Sequence, residues 1–138
     1  MKPKTINPMK LEFNKSASDI RGIILFCSFG KSIIHFVETK KGFSRGGHYH
    51  KFKSDHILLR GKIEFKELNL ATNIEQIRVI HAPFTMSVDA NTAHILTALE
   101  DSLFLEYFDS EYSAIDYLPY RKIVNKKIDR KSKISLIS

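Results

Sequence analysis

Two histidines stand two residues apart in the segment Arg45-Gly46-Gly47-His48-Tyr49-His50-Lys51. An imidazole titrates near neutrality, so it takes up and returns a proton at working pH, and it also ligates transition metals. In an extended strand, residues i and i+2 project to the same face. As a strand, the segment aims His48 and His50 into one space and turns Tyr49 away from it. Arg45 stands before the pair with a fixed charge and a planar fork of donors, and Lys51 follows with a point charge.

The elements that position these groups read as strands. Residues 23–29 and 32–39 are apolar runs rich in strand formers, separated at Gly30-Lys31. Residues 54–70 read as two strands broken at Gly61. Beyond that glycine the alternation is clean, with Ile63 and Phe65 on one face and Lys62, Glu64 and Lys66 on the other. Residues 76–82 and 85–88 follow, and 94–98 with 102–109 read as a hairpin through Glu100-Asp101. A strand could start at residues 11–13, whereas 16–22 is polar and turn-rich. A helix is expected only within residues 111–128. Eight to ten short strands with regular polar turns predict an all-β antiparallel sandwich or barrel.

A chain of 138 residues is expected to form one domain. We divide it into an arm (1–10), a barrel domain (11–121) and a basic C-terminal tail (122–138). Residues 121–133 hold seven of the 22 Lys and Arg, and without them the charge of +7 falls close to neutral. No zinc-finger, helix-turn-helix or RNP pattern accompanies that charge, so no nucleic-acid partner is expected. No apolar run reaches membrane-spanning length and no signal peptide is evident. Cys27 is the single cysteine, which excludes an internal disulfide and makes a cytoplasmic location the expectation.

Gly42, five residues, His48-Tyr49-His50 and then Gly61 resemble the first motif of the cupins, small jelly-roll barrels. Their second motif is laid on Pro83, Asp89, Asn91, His94 and Ala98, with His94 matching in residue type. A narrower resemblance covers nearly the whole chain. Asp19-Ile20-Arg21-Gly22, the segment 43–51, and Tyr112 to Tyr117 with Tyr120-Arg121 look like the motifs of the dTDP-4-keto-6-deoxyglucose 3,4-ketoisomerases. The RmlC-like 3,5-epimerases share the Arg-Gly-x-His part.

The resemblance implies a single-domain cupin jelly-roll barrel. It also implies an isomerase or epimerase of a 4-keto-6-deoxyhexose nucleotide that works by histidine-mediated proton transfer. His48 would be the base and His50 its relay, Arg45 and Lys51 would hold the diphosphate, no metal would be required, and the protein would be a homodimer. The chain departs from the ketoisomerases at His94, which they lack. His48, His50 and His94 together would suit Zn²⁺, Fe²⁺ or Mn²⁺. The fourth ligand is open between Asp55, which unbroken alternation groups with Ile57, Leu59, Ile63 and Phe65, and His56, which a kink at Gly61 would turn inward with Ser54 and Leu58. The alternatives to the isomerase are therefore a metal-dependent cupin enzyme, such as a dioxygenase or small-molecule isomerase, and a non-catalytic cupin that binds a sugar or other small anion. Glu106 lies two residues from Phe104 and from Phe108; facing inward with them it would orient a histidine, and at the end of the barrel it would be inert. His35 and His81 belong to no motif and read as structural.

Overall fold

The computed structural model describes residues 9–109 and 111–137, with side chains to residue 130. The expected arm at 1–10 lies outside the described residues for positions 1–8, as do the side chains of the last eight residues.

Among the described residues, eleven strands and one helix follow in order. They are β1 (Leu11–Asp19), β2 (Gly22–Phe29), β3 (Ser32–Thr39), β4 (Ser44–Tyr49), β5 (Ser54–Arg60), β6 (Lys62–Asn69), β7 (Ile74–His81), β8 (Phe84–Val88), β9 (Thr92–Ala98), β10 (Ser102–Phe108), β11 (Ile115–Asp116) and α1 (Leu118–Ile137). The strands form two antiparallel sheets, ordered β1-β2-β3-β10-β5-β8 and β11-β4-β9-β6-β7. Val37, Leu58, Val88 and Phe104 of the first sheet meet Ile63, Phe65, Ile80 and Leu96 of the second in one buried core. This is the expected all-β jelly-roll barrel.

Gly61 is a corner at which the chain passes from one sheet to the other. Before it Ser54, His56 and Leu58 are buried, and after it Ile63 and Phe65 are, so the inward parity changes there. Gly61 has φ +95, and a Cβ on it would lie 2.6 Å from the carbonyl oxygen of Asp101. The kinked reading is the one the chain adopts, and it places His56 inside.

Three features differ from the sequence reading. Strands β9 and β10 are not a hairpin: β9 pairs with β4 and β6, whereas β10 pairs with β3 and β5. Their short link crosses between sheets, held by Leu99 and Glu100 N–H donating to Lys62 O. Strand β1 runs through Ser16–Asp19, which read as a turn. All nine of its residues are exposed, so the ladder to β2 defines it and no apolar alternation announces it.

The helix starts later and runs further than expected, from Leu118 to Ile137. Pro119 sits in its first turn, where a missing N–H leaves no bond unmade. Residues 122–130 of the expected basic tail belong to this helix. Tyr120 and Val124 are buried against Leu68, Ala93 and Ile95 on the outer face of the second sheet, with Tyr49, Ile123 and Ile128 packed around them. No described helix is long and apolar enough to cross a membrane.

Candidate metal centre

Strand β4 carries Arg45 and His48, with His50 just past its end, and β9 carries His94. The register sets His48 directly opposite His94. Gly46 pairs with Ile95 and His48 with the next residue, His94, so Gly47 is an extra residue bulged out of the ladder at φ +79. The bulge has a consequence for facing. Arg45 and His48 are of opposite parity, and unbroken alternation would send them to opposite faces. With one residue bulged out, Arg45 and His48 line the same cavity, and Tyr49 turns outward to the helix.

The three imidazoles converge. Ring centroids are 4.8 Å apart for His48–His50, 4.8 Å for His48–His94 and 5.4 Å for His50–His94. One nitrogen from each lies within 4.8 Å of the others. Two of the rings have a fixed tautomer. His50 Nδ1–H donates to the Ser113 carbonyl at 2.6 Å, and His94 Nδ1–H donates to the Thr92 carbonyl at 3.1 Å. A carbonyl only accepts, so Nδ1 carries the proton and Nε2 carries the lone pair in both. His50 Nε2 is buried and has no hydrogen-bond partner among the described residues.

Burial also keeps the rings neutral. It pushes the pKa of His48 down to about 4, helped by the neighbouring charge of His50. It pushes His94 down to about 3, with His48 adding repulsion. His50 is lowered for the same first reason, against the opposing bond to Ser113. Neutral rings, two of them held by N–H to carbonyl bonds, with one nitrogen of each within 4.8 Å of the others, are the donor set that Zn²⁺, Fe²⁺ or Mn²⁺ takes. The orphaned Nε2 of His50 fits such an ion as a ligand.

Neither candidate for a fourth ligand joins the three. Asp55 accepts a hydrogen bond from Ser87 Oγ. His56 is inside and 4% exposed, yet its Nε2 is turned to Glu106 Oε2 at 3.4 Å. Of the two positions open to it, Glu106 takes the inward one, and its partners are His56 and His35, whose Nδ1 donates to Oε1 at 3.1 Å. Burial alone would raise the carboxyl pKa of Glu106; the hydrogen bonds from His35 and His56 outweigh it and hold the group far below the usual range. His35 is thus buried, with Glu106 as its partner. His81 is exposed at the end of β7.

The cavity beside the histidines has a volume of about 200 Å³. Its floor is apolar, including Ile24, Leu58, Met86 and Phe104, and three arginines enter its wall: Arg21, Arg45 and Arg121. Arg45 is buried and donates from Nε and Nη2 to Glu38 O and from Nε to Thr39 Oγ1. Burial and the neighbouring Arg21 charge push its pKa down to about 10. Lys51 is exposed on the bend after β4 and does not line the cavity. Arg21 and Arg121 were given no role in the sequence reading, although both stand in segments singled out there.

Comparison with family models and with curated proteins gives no match. Solved structures do match. The oxalate decarboxylase of Lactobacillus farciminis superposes with a TM-score of 0.72 at 17% identity, over 81% of this chain and 37% of that one. A deletion mutant of the Bacillus subtilis oxalate decarboxylase gives 0.71 at 17% identity, over 81% and 32%. The capsular polysaccharide assembling protein CapF of Staphylococcus aureus gives 0.61 at 17% identity, over 80% and 32%. The chain has the cupin fold. The cupin barrel described here spans about a third of the length of each of these chains.

Proposed function

We propose that this cupin barrel is a metal-dependent enzyme that holds a divalent transition ion on His48, His50 and His94 and acts on a small anionic molecule in the adjoining cavity. One observation carries the reading: the buried, unpartnered Nε2 of His50 beside two further imidazoles, with Nδ1 of the ring committed to a carbonyl. A buried polar atom without a partner costs free energy, and an ion relieves it. When bound, such an ion supplies a Lewis acid for an oxygen of the ligand. The residues of the chain do the rest. Arg45 and Arg121 bring positive charge to the wall, the apolar floor excludes water, and Ser113 and Thr92 hold the rings in their tautomers.

The nucleotide-sugar isomerase reading, with His48 as base, is favoured by His48 lining the cavity beside Arg45. Two observations weigh against it. A cavity of about 200 Å³ lies below the ~300 Å³ at which sites begin to enclose drug-sized ligands, so a nucleoside diphosphate would stay outside. A histidine whose pKa is pushed down to about 4 is also a weak base toward a carbon-bound proton.

The test is elemental analysis and Co²⁺ titration of the purified protein and of His50→Ala and His94→Ala. One equivalent of ion per chain in the parent, lost in both variants, is expected. A parent that takes up no ion and still exchanges solvent deuterium into a 4-keto-6-deoxyhexose nucleotide would establish the isomerase instead.

A further inference from the structure

Three guanidinium groups line the cavity, and their donors are unequally committed. A guanidinium binds an oxyanion best through two parallel N–H bonds from one edge. Arg21 has used its Nε and Nη2 edge on Asp19, at 3.1 and 2.7 Å, and Nη1 on Ser44 O. Arg45 has used the same edge on Glu38 O and Thr39 Oγ1. Among the described residues, Arg121 donates only from Nη1, to Gly46 O at 3.0 Å. Its Nε and Nη2 have no partner among the described residues, and no described carboxylate lies within ion-pair distance of it.

The position of Arg121 is specified by the backbone around it. It stands in the first turn of α1, where Tyr117 O accepts its N–H at 2.9 Å and Tyr117 N–H donates to Gly47 O at 2.8 Å. A Cβ on the bulged Gly47 would come within 2.8 Å of Arg121 Cα, so only glycine lets the turn seat there. Further along, Lys127 Nζ donates to Ser44 Oγ at 2.9 Å and Thr97 Oγ1 at 3.1 Å, pinning the helix across β4 and β9. The charge of Arg121 reaches both His48 and Tyr112 at the cavity.

We propose that Arg121 is the specificity-determining residue of the site, receiving the carboxylate or phosphate end of the ligand on its open Nε and Nη2 edge beside the three histidines. This rests on reading the cavity as the ligand site, but not on the ion. Helix α1 is then part of the site and not an appendage to the barrel.

Acetate and inorganic phosphate serve as probes, titrated into metal-free and Co²⁺-loaded protein. Histidine ring resonances report the metal-free form, and the cobalt visible spectrum reports the loaded form. Wild type is expected to bind one of the probes, which names the oxyanion class. Arg121→Gln is expected to weaken that binding about 10- to 100-fold while Co²⁺ binding is retained. Arg121→Lys, which keeps the charge and loses the fork, is expected to fall between them, and it decides the matter if Arg121→Gln does not fold. Equal anion affinity in wild type and both variants overturns the proposal, as does a wild type that binds neither probe. Failure of Co²⁺ to bind sinks the metal reading alone, because the metal-free titrations still test Arg121.

Discussion

At the scale of single residues, the site is governed by which polar atoms are already satisfied. His50 and His94 have each given Nδ1–H to a carbonyl, so losing either ring removes a prepared donor and not an adaptable one. Outer partners of metal ligands are worth about 10- to 100-fold in affinity, so His50→Ala should cost more than about 100-fold by Co²⁺ titration. Glu106 poses a different problem, since its two oxygens accept from two buried imidazoles. Glu106→Gln keeps the shape and replaces an acceptor by a donor facing an N–H. A loss of about 2–3 kcal/mol in urea unfolding is expected, with Co²⁺ affinity little changed. Much of this was legible in the sequence. The His-x-His spacing gave the pair, and the two-residue step from Phe104 and Phe108 made an inward Glu106 one of two open positions. What Glu106 would meet was not legible, because His35 and His56 reach it from two other strands.

At the scale of elements, the parity of a strand decides what a residue can do. The choice between Asp55 and His56 was open in the sequence because one kink inverts every side chain beyond it. The structure places that kink at Gly61. The bulge at Gly47 was less visible, since two adjacent glycines do not say which one leaves the ladder. Its close approach to α1 makes a direct test. Gly47→Ala places a side chain at φ +79 against the backbone of Arg121. A loss of about 2 kcal/mol or more in thermal unfolding is expected, together with weakened anion binding, because the turn bearing Arg121 must move. The same variant with unaltered stability would mean that the helix does not seat on the bulge. The misread hairpin of β9 and β10 has a physical origin too. A short polar link joins neighbours within a sheet or crosses a corner equally well, and only the distant partners β4, β6, β3 and β5 choose between them.

At the scale of the molecule, the buried imidazoles make stability depend on pH. His48 and His94 have folded-state pKa values of about 4 and about 3, and His50 is lowered as well. An unfolded histidine titrates near 6.5, so below that pH the unfolded chain binds more protons than the folded one. The metal-free protein should therefore lose stability as pH falls from about 6.5 to about 4, by about 1.4 kcal/mol per pH unit for each of His48 and His94, with His50 adding in the same direction. Urea unfolding at pH 7.5, 5.5 and 4.5 checks the sign; constant stability over that window would show the rings to be solvated. The core between the sheets is the other large term. Phe65 is 2% exposed in its middle, and Phe65→Ala should cost about 3–5 kcal/mol by the same measurement.

The pairing of β4 with β9 brings together two stretches that are remote along the chain, and the histidines sit on both sides of that seam. An ion held by His50 and His94 would close the intervening forty-odd residues into a covalent-like ring. It would act as a removable cross-link, present only while the seam is shut, so that a chelator would do to this protein what a reductant does to a disulfide-stapled one.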